Sequence, residues 1–116
     1  MTADRIVRQA MDRWQHGIDA HEPEAVAAVF TEDAVFQGLR PYSVGRPGVA
    51  AYYDSQPTGM TVTYRVLESR LLTADVATGY LAARFAFVDR EPLELHLGVV
   101  LTRDGDDWLV VQYQAS

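Results

Sequence analysis

After Gly59 the hydrophobic pattern of the chain changes from helical spacing to long β-rich segments, and this switch constrains the fold more than any other feature. The segments run roughly Thr61–Leu72, Val76–Val88, Leu93–Thr102 and Trp108–Gln114. They are parted by Thr73-Ala74-Asp75, Asp89-Arg90 and Asp104-Gly105. Turns this short predict an antiparallel meander. With helical spacing confined to the first half, the fold class is α+β, three N-terminal helices packed on a curved, mainly antiparallel sheet.

The helices follow from spacing and punctuation. Ile6, Val7, Ala10, Met11, Trp14 and Ile18 recur at helical intervals behind Thr2 or Asp4 as cap, predicting an amphipathic helix over residues 3–20. His21-Glu22-Pro23 restarts the chain, since proline suits a first helical turn, and Ala25, Val26, Val29 and Phe30 form the buried stripe of a second helix ending at Thr31-Glu32-Asp33. Ala34–Gln37 reads as a short extended piece. A third helix starts at Pro47 and presents Val49, Tyr52 and Tyr53 on one side.

Strand register follows from the turns. A two-residue turn at Asp104-Gly105 pairs Val99 with Val110 and Leu97 with Gln112, and one at Asp89-Arg90 sets Arg84 against Leu95. One face then carries Tyr80, Arg84, Leu95, Leu97, Val99, Val110, Gln112 and Gln114. The other carries Leu81, Phe85, His96, Val111 and Tyr113. Three helices cover one side of such a sheet, so the apolar second face predicts a homodimer through Leu81, Phe85, Val111 and Tyr113.

A chain of 116 residues, 48% hydrophobic, predicts one domain over 1–116 with a true core. A formal charge of −6 argues against a nucleic-acid partner. The absence of cysteine excludes disulfides and thiolate chemistry, and no run is long and apolar enough for a membrane span. No apolar signal core stands at the N-terminus, so the expected location is cytoplasmic. His16, His21 and His96 show no metal-ligand spacing, and no metal is expected.

The helix restart around His21–Phe30, the phrase FTEDAVF, the GRPGVAAYY helix and the terminal DDWLVVQYQAS strand occur in an order that resembles the nuclear transport factor 2-like superfamily, the cone-shaped α+β barrels. Within it they resemble the SnoaL-like domains, near the small actinobacterial proteins associated with secondary metabolism. The resemblance implies a bent sheet around a pocket plugged by helices. It also implies a range of roles, from steroid isomerases, polyketide cyclases, epoxide hydrolases and dehydratases to non-catalytic association domains, so fold does not settle function. Where the isomerases place their tyrosine donor, base carboxylate and protonated acid, this chain has Trp14, Gln37-Gly38 and Val99. Where many close relatives carry histidine on the last strand, it has Gln112 and Gln114.

The expected ligand-binding residues are therefore Trp14, Gln37, Tyr52, Tyr53, Tyr80, Arg84, Gln112 and Gln114, with no residue assigned to catalysis. Arg84 inside a pocket would meet an anionic or carbonyl-bearing ligand; at its rim it would reach solvent. Two function classes remain open. One is a cofactor-independent cyclase, isomerase or hydrolase acting on a polyketide-like or terpenoid-like carbonyl compound. The other is a non-catalytic ligand-binding or dimeric association module.

Overall fold

The computed structural model describes residues 1–116. Three helices, α1 (Ala3–Asp19), α2 (Pro23–Ala27) and α3 (Arg46–Asp54), pack on a curved six-stranded sheet. The strands are β1 (Phe30–Gln37), β2 (Ser43–Val44), β3 (Thr61–Thr73), β4 (Val76–Ala86), β5 (Leu93–Asp104) and β6 (Asp107–Ala115), in the spatial order β2-β1-β6-β5-β4-β3. The α+β class and the helix-covered sheet are as the hydrophobic pattern requires.

α1 starts where Thr2 accepts the Arg5 N–H at 3.2 Å, a cap worth about 1 kcal/mol. Its stripe of Ile6, Val7, Ala10, Met11, Trp14 and Ile18 is fully buried against the sheet. Each large apolar side chain there contributes about 1.5–3 kcal/mol. The second helix is shorter than its apolar stripe suggests. It ends at Ala27, and Phe30 already begins β1, whose parallel pairing with β6 satisfies backbone groups that a longer helix would have used internally. Pairing of Val35 with Val44 and of Phe36 with Ser43 adds the two-residue strand β2, too short to show an alternation.

Two corrections to the register decide which side chains face the helices. Between β4 and β5 the ladder closes at Phe85 with Leu93, leaving residues 86–92 outside the pairing. Pro92 lies among them, and its missing N–H disfavours the ladder position that a tight Asp89-Arg90 turn would give it. Arg84 consequently pairs with Glu94 rather than Leu95, and every residue of β4 changes face. In the β5–β6 hairpin the turn is Gly105-Asp106, with Gly105 at φ 62 and Asp104 opposite Asp107. That shift alone preserves the face of Val110. A bulge then lets Leu101 pair with Val110 but Val100 with Gln112, so Gln112 and Gln114 turn outward while Tyr113 and Ala115 turn inward.

Leu81, Phe85 and Tyr113, predicted on a dimerising face, are thus core residues at 0%, 7% and 2% exposure. Trp14 meets Phe85 edge-on at 6.0 Å, and Tyr113 stacks on Phe36 at 4.8 Å. Such pairs add about 0.5–1.5 kcal/mol each beyond burial.

Candidate functional site

The helix-covered side of the sheet encloses a hollow of about 40 Å³ between α3 and the ends of β4, β5 and β6. Its walls are apolar, with Met60, Phe85, Leu95 and Ala115 among them, and Leu39 and Phe87 also line it. No lining residue carries a carboxylate, imidazole or guanidinium; the polar groups are Gln56 and the hydroxyls of Tyr52, Tyr53 and Tyr113.

Tyr52 and Tyr53 are adjacent on α3 and diverge in role. The Tyr52 hydroxyl accepts the Leu39 N–H at 3.1 Å, and its ring packs edge-on against Phe36. Gly38 permits this, because a Cβ there would lie 2.4 Å from the Tyr52 ring. Tyr53 points deeper. Its oxygen accepts the indole N–H of the fully buried Trp14 at 3.0 Å, and Tyr113 lines the same hollow. Burial pushes both phenols well above their ordinary value of 10.0, so both stay neutral at physiological pH. The proton count of this pair matters. Two hydroxyls carry two protons, and the indole uses only a lone pair of Tyr53. At least one O–H of the pair therefore has no acceptor in the protein.

Of the residues expected from sequence, Tyr52 and Tyr53 line this hollow and Trp14 supports it from behind. The other five lie elsewhere. Gln37 pairs with Gln114 on the exposed face of the sheet. Gln112, Tyr80 and Arg84 share that face, Arg84 more than half exposed beside Glu94 at 3.5 Å. The idea that Arg84 meets a ligand among leucines and valines is therefore incorrect, for the reason of strand parity given above. Tyr113 was misassigned by the same parity and proves to be a floor of the hollow.

The exposed face has larger but open depressions. One of about 440 Å³ lies around Glu68, Arg70, Tyr80, Gln112 and Gln114; another of about 400 Å³ lies around Arg65, Arg84, Glu94 and His96. Between them the Tyr80 and His96 rings stack in parallel at 5.5 Å. Size does not make either a small-molecule site, because such ligands are held by burying most of their surface, which an open sheet face does not do. No group of His, Asp and Glu side chains is arranged to hold a metal ion, and no helix is long and apolar enough to cross a membrane.

Comparison with known proteins agrees with this architecture. The family model described as the SnoaL-like domain matches residues 1–113. A domain of unknown function with a cystatin-like fold from Nostoc punctiforme superposes with a TM-score of 0.85 at 20% identity, covering 100% of this chain and 78% of that one. An NTF-2 like protein of unknown function from Shewanella oneidensis gives 0.83 at 12% identity, with 97% of both chains covered. A ketosteroid isomerase-like protein from Erwinia carotovora gives 0.77 at 20%, covering 97% of this chain and 94% of that one. Identities this low show the shared fold alone. No curated protein matches the chain.

Proposed function

Since the chain belongs to the SnoaL-like domain family, whose fold is reused for many roles, we propose a function from its own pocket: it binds a small, mostly apolar molecule through a carbonyl or similar acceptor oxygen. The observation that carries this reading is the unpaired O–H of the Tyr53–Tyr113 pair in an otherwise apolar hollow. A buried donor without a partner is costly, and an acceptor oxygen on a ligand removes that cost. The ligand is neutral, because no charged side chain lines the hollow. The walls offer no base, so this pocket favours binding over acid–base turnover by a cyclase, isomerase or hydrolase route. About 40 Å³ accommodates only a few atoms. Binding a whole molecule involves displacement of the Leu39 side chain, which is 60% exposed.

Each tyrosine alone can supply the free donor, so Tyr53→Phe and Tyr113→Phe singly should change the affinity for 4-phenylbutan-2-one little. The double variant should weaken it about five-fold, the scale of one neutral hydrogen bond. Butylbenzene, which lacks the acceptor, should bind all forms equally in calorimetric titration. Equal losses for the ketone and the hydrocarbon, or no binding of either, would refute the assignment.

We further propose that the exposed sheet face meets a second copy of the chain. Tyr80 is 45% exposed there, the cross-strand pair Val35 and Val44 is 38% and 61% exposed, and Arg65 and Arg84 alternate with Glu68 and Glu94. Interleaved charges of both signs suit a self-complementary two-fold contact. Sedimentation at micromolar concentration should show a dimer, and Tyr80→Asp should give a folded monomer. A monomeric unmutated chain would dispose of this interface.

A further inference from the structure

At the corner between α1 and α2 a histidine occupies a position that helix geometry assigns to glycine. The His21 N–H donates to the Ile18 carbonyl at 3.0 Å and the Glu22 N–H to the Gly17 carbonyl at 2.8 Å, the paired bonds of a Schellman motif. Its left-handed residue is His21, at φ 52, the one non-glycine residue of the chain with positive φ. Any residue with a Cβ is strained there, and glycine is not.

The residue kept at this cost lines a second, smaller hollow of about 10 Å³ with Gly17, Ile18, Glu22, Pro23, Tyr53 and Met60. Tyr53 and Met60 line the carbonyl pocket as well, so these two side chains stand between the hollows. Tyr53 is pinned by its hydrogen bond from the Trp14 indole. Met60 is not pinned in this way. It is buried but unbranched, and it follows the turn at Gly59, so its thioether can rotate without disturbing a strand. We propose that Met60 swings aside to join the hollows into one elongated site, in which a ligand carbonyl accepts from the Tyr53–Tyr113 pair and a hydroxyl at the ligand's far end donates to the imidazole of His21. The occupant is then a hydroxylated ketone with an apolar body. This rests on the carbonyl-pocket reading and deepens it, since His21, beside Glu22, gives the joined site the basic group that the first hollow lacks.

The test compares 4-(4-hydroxyphenyl)butan-2-one with 4-phenylbutan-2-one by calorimetry on the unmutated chain, His21→Gly and Met60→Ile. His21→Gly suits the Schellman position and should raise the melting temperature, so loss of folding does not confound it. The unmutated chain should prefer the hydroxylated ketone about five-fold. Both variants should level that preference, and His21→Gly, which lies outside the carbonyl pocket, should leave 4-phenylbutan-2-one binding unchanged. A preference that survives either substitution overturns the joined site, as does its absence in an unmutated chain that binds 4-phenylbutan-2-one. If neither ketone binds the unmutated chain, the carbonyl pocket fails first and the extension falls with it.

Discussion

Between pH 10 and pH 11.5 the protein should lose about 4 kcal/mol of stability, enough to unfold many domains of this size. The sign follows from linkage. Tyr53 and Tyr113 have their folded-state pKa raised by burial, so below the ordinary value of 10.0 both states hold the protons and pH has no effect through them. Above it the unfolded chain releases protons that the folded chain retains, and stability falls by about 1.4 kcal/mol per pH unit for each phenol until the folded value is reached. Tyr64, raised by burial and by its hydrogen bond to Asp12, acts in the same direction, but it is only partly buried and adds less. All ten basic residues of the chain are arginine, so no lysine titrates in this window and the alkaline limb belongs to the tyrosines. Urea titrations at stepped pH should show the slope, and the Tyr53→Phe/Tyr113→Phe variant should flatten it. A folded double variant with an unchanged slope would show that the two phenols are not buried as described.

The parts of this structure legible in the sequence are those set by local rules. The stripe from Ile6 to Ile18 gave α1 within one residue, and Gly59 marked the passage to strands whose ends fall within two residues of expectation. Contacts between elements far apart in the chain were less legible. Phe30–Gln37 reads locally as a helix tail and an extended scrap. Its parallel place beside β6 depends on a partner about eighty residues away, with no hairpin turn to announce it. The site suffered most, because one residue of offset inverts a strand. Leu95, Leu97, Val99 and Val110 were placed on the correct face. Tyr80, Arg84, Gln112 and Gln114 were not. Pro92 was the available signal for β4, since a proline two residues after a supposed tight turn argues for a longer connection. For the bulge at Val111 the sequence offers no comparable mark. The Tyr53–Tyr113 pair was hidden by the same inversion, which sent Tyr113 to the wrong side.

Strand parity also makes the sharpest mutational contrast, between two consecutive residues of β4. Phe85→Asp should leave no folded protein at neutral pH. The ring is 7% exposed on the inner face, edge-on to Trp14 at 6.0 Å, so truncation alone costs about 3–5 kcal/mol. A carboxylate in its place has no cationic partner among the core residues, and several kcal/mol of desolvation is added. Against a total stability of about 5–15 kcal/mol, that exhausts the margin. Its neighbour should behave oppositely. The Arg84 side chain is 56% exposed and meets Glu94, itself 75% exposed, at 3.5 Å, an ion pair that screening reduces to a small contribution. Arg84→Leu should therefore shift the unfolding free energy by about 0.5 kcal/mol or less. Circular dichroism and denaturant titration of the two variants decide the matter. A cooperatively folded Phe85→Asp together with an unfolded Arg84→Leu would mean that β4 faces the other way, returning Arg84 to the interior and removing Phe85 from the wall of the carbonyl pocket.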